Sequence, residues 1–251
     1  MKTEKAYKLL AAQEGISNRA AKELIDDGLV YTRGQKVTLA RQEVPLGVKF
    51  RVEAVAKPKV IFEDENILVL DKPASILSEQ LSKSYGYGLL HRLDKETSGV
   101  LMLIKNEEYR KKAIEEFRQK SVEKIYLAVV SGRFVDPLEL DAPIATLKGK
   151  GGAYSKISPS GKEAYTRVEP LLIEGKHTLV KVTITTGRTH QIRVHLRHGG
   201  FPIVGDDKYG GKKANRLFLH AYRVGILGKR FEAPLPEAFR AFGFSPKSVN
   251  I

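Results

Sequence analysis

Apolar positions near the start of the chain recur first at helical spacing and then in short runs. Ala21, Leu24 and Ile25 form part of one stripe, because residues three and four apart share a helix face. Ser17 is a suitable N-cap for this helix and Gly28 a suitable end. We therefore predict helices over 3–13 and 17–28, followed by short strands at 29–31, 37–39 and 48–55.

Beyond Pro58 the pattern becomes that of strands. Residues 100–104 are all apolar, as in a strand buried on both faces, whereas 178–184 alternate with the period of a half-buried strand. The segment 56–59 is typical of a linker, which gives two predicted domains, 1–55 and 56–251. The predicted strands of the second domain are 60–62, 67–70, 100–104, 125–130, 164–168, 178–184 and 216–226, its helices are 107–120, 189–198 and 236–242, and 148–152 is a flexible basic loop.

Composition restricts the class of protein. The chain has 251 residues, no cysteine and 42% hydrophobic residues, so disulfides and thiolate metal sites are excluded. The N-terminus has no apolar segment of the signal-peptide kind. We therefore expect a soluble, cytoplasmic protein with no membrane association.

Charge points to a polyanionic partner. The net charge is +14, and residues 187–230 hold ten Lys/Arg against two Asp/Glu. A cluster of this kind favours phosphate binding, because neutralised phosphates release condensed counterions. A solvated basic surface is the alternative, and charge alone does not decide between them.

Two polar blocks hold the candidate chemistry. The first, 91–99, places Asp94 between Arg92 and a Thr-Ser-Gly turn, just before the buried strand. The second, 187–196, contains Arg193, which shares one helix face with His190. An aimed carboxylate beside a cation is an arrangement that nucleophilic catalysis uses.

Together the two blocks resemble the signature motifs of the RluA-type pseudouridine synthases, RNA enzymes that isomerise uridine in place. The resemblance covers about 60–251. It implies a catalytic domain of α+β class, built on a mixed, largely antiparallel sheet. It also implies that the catalytic residues are Asp94, Tyr126 and Arg193. In the family, the arginine pairs with the aspartate, and the tyrosine lies against the target base, where it can help to remove the C5 proton. The RNA- and substrate-binding residues that we expect are His91, Arg92, Arg188, His190 and Leu219.

One segment departs from the family pattern. Residues 72–75 read Lys-Pro-Ala-Ser, with serine where the family has glycine, and Ser78-Glu79 stand where a His-Pro pair is usual. We expect this to alter the local loop rather than the activity. The segment 205–210, in contrast, resembles the family's substrate-side loop well.

The first domain resembles the small α/β S4 RNA-binding module. A helical cap or dimerisation lobe is the alternative. The resemblance implies no cofactor, because the reaction is an isomerisation, and we expect no metal, since the His195-x-x-His198 pair lacks a third ligand at helix spacing.

We expect a monomer that acts on RNA. Large-subunit ribosomal RNA is the first choice of substrate and tRNA is the second. The target uridine must leave its stack, and Arg92 is a candidate to fill the gap. The alternatives are a non-catalytic RNA-binding or ribosome-assembly protein and a nucleoside hydrolase or glycosidase, which usually needs a second carboxylate.

Overall fold

The computed structural model describes residues 2–54, 56–149 and 152–245. The chain forms two compact units, Met1–Lys57 and Pro58–Ile251. In the described residues no helix is long and apolar enough to cross a membrane.

The first unit is two helices with short strands around a small apolar core. Ser17 caps the second helix by accepting a hydrogen bond from the amide of Ala20 at 3.1 Å, as predicted. Thr3–Lys5 form a strand paired with Glu43–Pro45, so the first helix begins at Ala6 and not at residue 3. The elements are β1 (Thr3–Lys5), α1 (Ala6–Glu14), α2 (Asn18–Asp26), β2 (Val30–Thr32), β3 (Gln35–Lys36), β4 (Glu43–Pro45) and β5 (Arg51–Val52).

The second unit is built on a ten-stranded sheet. Its elements are β6 (Lys59–Glu63), β7 (Ile67–Lys72), α3 (Ser78–Tyr85), β8 (Gly88–Leu89), β9 (Ser98–Ile104), α4 (Glu107–Arg118), β10 (Glu123–Ser131), β11 (Leu138–Leu140), β12 (Ile144–Gly149), β13 (Gly152–Ile157), β14 (Thr166–Glu174), β15 (His177–Ile184), α5 (Gln191–His198), β16 (Leu219–Ile226), β17 (Lys229–Glu232) and a 3-10 helix (Glu237–Phe242). The order is β11-β14-β15-β10-β16-β9-β7-β6, with β17 on β16 and β8 on β9. The pair β16–β9 is parallel, and the other strand pairs in the described part of this sheet are antiparallel. The predicted α+β class and largely antiparallel sheet are therefore confirmed.

Strand β9 lies in the centre of the core, which explains its unbroken apolar sequence. Every residue from Ser98 to Ile104 is buried. Val100 and Met102 pack into one apolar cluster, and Leu101 and Leu103 into another. Gly99 has φ +113°, and a Cβ there would lie 2.1 Å from the carbonyl oxygen of Ala221. Only glycine therefore permits this close approach of β9 to β16.

Several elements differ from the sequence prediction. Helix α3 and strands β8, β11, β12, β13 and β17 were not predicted. The prediction of a flexible loop at 148–152 is wrong in part, because Lys148 pairs with Ala153 and Gly149 with Gly152 in a β-hairpin. Lys150 and Gly151 lie outside the described residues. The helix expected from residue 189 begins at Gln191, and the strand expected from 216 begins at Leu219.

Candidate active site

The two polar blocks meet in one cleft of the second unit. Its cavity volume is about 110 Å³, several times the roughly 10–15 Å³ that one water molecule needs. The loop before β9, strand β10, the turn after β15, helix α5 and the start of β16 form its walls. The lining residues are Arg92, Leu93, Asp94, Thr97, Tyr126, Ile184, Gly187, Arg188, Thr189, His190, Gln191, Ile192, Arg193 and Leu219.

The Asp94 loop is fixed by hydrogen bonds to its backbone. The buried hydroxyl of Ser78 accepts a hydrogen bond from the amide of Leu93 and donates one to the carbonyl of Leu93, each at 3.0 Å. The amide of Thr97 donates to the carbonyl of Asp94 at 3.1 Å and closes a turn. Ser78 thus holds the backbone of the residue that precedes Asp94.

The segment that departs from the family pattern supports the same loop. The fully buried ammonium of Lys72 donates to the carbonyls of Pro73, Ile76 and Lys95 at 2.7–3.1 Å. The amide of Ser75 also donates to the Lys95 carbonyl, at 2.8 Å. Ser75 has φ +70°, a conformation that favours glycine. The loop therefore adopts a left-handed backbone conformation at the position where the family has glycine.

Arg193 joins three carboxylates. Its Nε and Nη2 atoms donate to the two oxygens of Asp206, both at 2.8 Å. Its Nη1 atom lies 3.5 Å from an oxygen of Asp94 and 3.5 Å from one of Glu96. The expected pairing with Asp94 is therefore present, but the closest partner is Asp206. Burial lowers the pKa of Arg193, and its hydrogen bonds and the carboxylate charges more than offset this, so the pKa is raised.

His190 stands between the carboxylate and a buried tyrosine. It precedes α5 with φ +55°, and its Nε2 atom lies 4.0 Å from Oδ2 of Asp94. Its Nδ1 atom is 2.7 Å from the hydroxyl of Tyr209. Burial lowers the pKa of His190, and the Asp94 charge opposes that effect. The imidazole is therefore neutral at neutral pH.

The other predicted cleft residues form the walls and rim. Tyr126 and Leu219 line the cleft from β10 and β16. Burial raises the pKa of the Tyr126 phenol, and Asp94 adds to the effect, so the phenol is protonated at neutral pH. Arg92 is exposed, with Nη1 3.2 Å from a carboxylate oxygen of Glu79. Arg188 donates from Nε to the Glu163 carbonyl at 2.8 Å.

His91 is the one predicted site residue that the structure does not bring into the cleft lining. Its Nε2 atom accepts a hydrogen bond from the amide of Met102 at 3.2 Å, and its ring contacts Phe117. Burial, with help from Lys124, lowers its pKa to about 4. The accepting nitrogen and the low pKa both fit a neutral ring that attaches the loop to β9.

Two residues that the sequence analysis did not assign hold the second block in place. Asp206 receives the guanidinium of Arg193, and the side-chain oxygen of Gln191 accepts from Thr186 and from the amide of Arg188 at 2.8 and 3.0 Å. The Gln191 amide nitrogen donates to the carbonyl of Tyr165 at 2.8 Å. Gln191 thereby fixes the turn that carries His190 to the helix. The Gln-Ile-Arg string was a signal for Gln191, and the 205–210 segment was one for Asp206.

Known proteins resemble this chain across both blocks. A family model described as RNA pseudouridylate synthase matches residues 66–198. A Helicobacter pylori protein (strain J99) described as an uncharacterized RNA pseudouridine synthase is 53% identical over 240 residues, which cover 94% of this chain and 99% of that protein. The ribosomal large subunit pseudouridine synthase C of Vibrio vulnificus is 31% identical over 226 residues, 79% of this chain and 71% of its own.

Comparison with a solved structure indicates the same family. The solved structure of human RNA pseudouridylate synthase domain containing 1 matches with a TM-score of 0.63 and 25% identity, over 76% of this chain and 89% of that one. The family model spans more than half of the chain, and relatives align along nearly all of it. The chain therefore belongs to the RNA pseudouridine synthase family, and the protein is an enzyme that forms pseudouridine in RNA.

Proposed function

We propose that the protein modifies uridine in large-subunit ribosomal RNA and that Asp94 is its catalytic carboxylate. The arrangement around Asp94 carries the proposal. Nη1 of Arg193 and Nε2 of His190 both approach Oδ2, at 3.5 and 4.0 Å. Within the part of the chain that the structure describes, Oδ1 has no such neighbour, so it is available to a substrate in the cleft and the carboxylate has a defined direction.

The reaction needs an aimed carboxylate and no cofactor. The N1–C1′ bond breaks, the base rotates, and C5 joins C1′, while C5 loses a proton and N1 gains one. Asp94 can attack the sugar, attack the base or remove the 2′ proton. Each route needs its free oxygen close to the nucleoside, and positioning of this kind supplies a large part of catalysis.

Tyr126 and Leu219 are suited to hold the base. Leu219 contributes an apolar surface, and Tyr126 contributes a ring and a hydrogen-bond donor, since its raised pKa keeps the phenol protonated. A base rotating within the cleft needs apolar walls that hold it without binding one orientation. We assign both residues to packing against the target base.

The rim of the cleft fits RNA in which the target base is flipped out. Arg92 is largely exposed and stands beside Asp94 in the chain, so it can enter the gap that the base leaves. Arg188 is available to phosphates. The basic segment 187–230 supports this assignment, because its excess positive charge favours polyanion binding.

The ribosomal target is supported by a relative, and the first unit of the chain supports RNA binding in general. The Vibrio vulnificus relative is described as acting on the ribosomal large subunit. In the first unit, Lys22 lies over the ring of Tyr7 at 4.3 Å, and Arg51 over that of Tyr31 at 5.1 Å. Cations beside aromatic rings are common in RNA-binding surfaces. We propose that this unit adds RNA contacts.

The test compares the protein with its Asp94→Asn variant on ribosomal RNA and tRNA from cells that lack the enzyme. We expect the unaltered protein to form pseudouridine in ribosomal RNA, and the variant to form none while its RNA affinity stays within about twofold, because the amide keeps the shape of the carboxylate and loses only its charge. Asp136→Asn makes the same chemical change on an exposed carboxylate outside the cleft and should have normal activity.

Other products would contradict separate parts of the proposal. Normal turnover by Asp94→Asn would end the catalytic assignment. Pseudouridine in tRNA alone would end the ribosomal assignment. Release of free uracil would favour a glycosidase, and RNA binding without any product would favour a non-catalytic RNA-binding protein.

A further inference from the structure

A buried hydroxyl connects the active-site histidine to the hairpin β12–β13. Tyr209 is 6% exposed. Its hydroxyl oxygen lies 2.8 Å from the amide nitrogen of Ser155, on β13, and 2.7 Å from Nδ1 of His190. The other ring nitrogen of His190 faces Asp94 at 4.0 Å. Ser155, Tyr209, His190 and Asp94 thus form a chain of polar groups that runs from the hairpin to the carboxylate.

The direction of the hydrogens along this chain follows from the groups themselves. The Ser155 amide can only donate, so the Tyr209 oxygen accepts from it. The hydroxyl hydrogen then points to Nδ1 of His190, the other polar neighbour recorded for this oxygen in the described residues. A neutral imidazole that accepts at Nδ1 has its hydrogen on Nε2. That hydrogen is on the side of Asp94.

We propose that Tyr209 is a positioning residue that keeps His190 in its Nε2–H form, so that the ring donates toward Asp94. His190 and Arg193 then act on the same carboxylate oxygen, one as a neutral donor and the other as a cation. The consequence for turnover rests on the proposed function of Asp94. Which ring nitrogen of His190 carries the hydrogen does not depend on that function, and it can be measured separately.

The Tyr209 ring is held firmly enough for this role. It stacks on Tyr154 with centroids 5.3 Å apart, meets His190 edge-on at 5.5 Å, and has the guanidinium of Arg193 at 5.2 Å. Its amide donates to Asp206 at 3.1 Å. A phenylalanine can keep the ring contacts while it removes the hydroxyl alone.

The first experiment is nitrogen NMR of the histidine side chains in the full-length protein, with His190→Gln to assign the signal. We expect the unaltered protein to show hydrogen on Nε2, and Tyr209→Phe to show a mixture of the two neutral forms. The variant should also raise the pKa of His190, because the lost bond favours the neutral ring. The charged groups that act on this ring are Asp94, Glu96, Arg193 and Lys208, and all of them remain in the variant.

The second experiment measures turnover. Tyr209→Phe should lower kcat roughly tenfold, on the order of one hydrogen bond, and leave KM within about twofold. Glutamine at position 190 carries an amide donor and has no tautomers for Tyr209 to select, so Tyr209→Phe should have a much smaller effect in the His190→Gln background. Tyr154→Phe removes the hydroxyl of the neighbouring stacked ring and serves as the matched control.

Each outcome supports or overturns the assignment. Hydrogen on Nδ1 in the unaltered protein would overturn it, and that measurement needs no folded variant. An unchanged His190 signal in Tyr209→Phe, or equal kcat losses in both backgrounds, would also overturn it. If Asp94→Asn is fully active while His190 shows the expected form, the proposed function fails and the positioning of His190 stands.

Discussion

Removing either member of the Arg193–Asp206 pair should destabilise the protein far more than removing Asp94. The Arg193 and Asp206 side chains are 4% and 1% exposed, and two bonds of 2.8 Å join them. Substituting one member leaves a buried charge without its main partner. Such a change costs about 3–5 kcal/mol, so we expect this loss for Arg193→Met and a value near the lower limit for Asp206→Asn.

Removing the Asp94 carboxylate, in the same site, should change the free energy of unfolding much less. Its side chain is 21% exposed, and Nη1 of Arg193 lies 3.5 Å from it, beyond the usual length of a charge-assisted hydrogen bond. Partly solvated pairs contribute about 1 kcal/mol or less. Asp94→Asn should therefore change the free energy of unfolding by no more than that.

The assay is urea unfolding of the full chain, followed by circular dichroism, for two double-mutant cycles that share Arg193→Met. The cycle with Asp206→Asn should give a coupling of about 2–3 kcal/mol, and the cycle with Asp94→Asn less than about 0.5 kcal/mol. Equal m-values across the set would verify that each variant loses the same structure.

A larger coupling with Asp94 than with Asp206 would refute this reasoning. So would a loss below about 1 kcal/mol for Asp206→Asn, since this change leaves the buried Arg193 cation without its main partner. Turnover gives an independent control. Arg193→Lys keeps the cation but loses the planar set of donors, and it should retain partial activity.

Two further predictions concern Ser75 and His220. Because Ser75 has φ +70°, Ser75→Gly should raise the free energy of unfolding by about 1 kcal/mol, whereas Ser75→Ala should not. A lower free energy of unfolding in the glycine variant would contradict the strain argument. Burial lowers the pKa of His220 from 6.5 to about 3. As the pH falls, His220 is therefore protonated in the unfolded chain before it is protonated in the folded protein. The free energy of unfolding should then drop by about 2–3 kcal/mol between pH 7 and pH 4.5. His220→Gln should flatten that part of the pH dependence in urea titrations, and an unchanged slope would show that His220 does not cause it.

The parts of the fold that sequence predicted are those with a strong local pattern. The run 100–104 has no polar residue, and it is a strand buried on both faces. Helix α3 shows the opposite case. Only Ser78 and Leu81 are buried in it, so its apolar side is narrow, with Leu81 and Tyr85 packed against one core cluster. Its Ser78 hydroxyl adds a hydrogen bond to a backbone fifteen positions away. A pattern search cannot detect such a contact.

The candidate site was predictable to the extent that its residues lie in short distinctive strings. Asp94, Arg193 and His190 belong to two such strings, and they line one cleft. The hairpin that reaches His190 through Tyr209 was not predictable. Its strands contain glycines and lysines at positions that resemble a loop, and the pairing of β12 with β13 became visible only in three dimensions.

Asp206 shows most clearly what sequence leaves open. It is followed by Asp207, and the two carboxylates are chemically alike, but Asp206 is buried and Asp207 is exposed. Burial selects the partner of Arg193. A guanidinium has donors on two edges: Asp206 occupies Nε and Nη2, so Nη1 is left for the other two carboxylates, Asp94 and Glu96, each 3.5 Å away. One cation can thus be anchored by a structural carboxylate while it directs a second one, which a lysine ammonium cannot do with fixed geometry. This division of the two edges explains why the second block needs arginine at position 193.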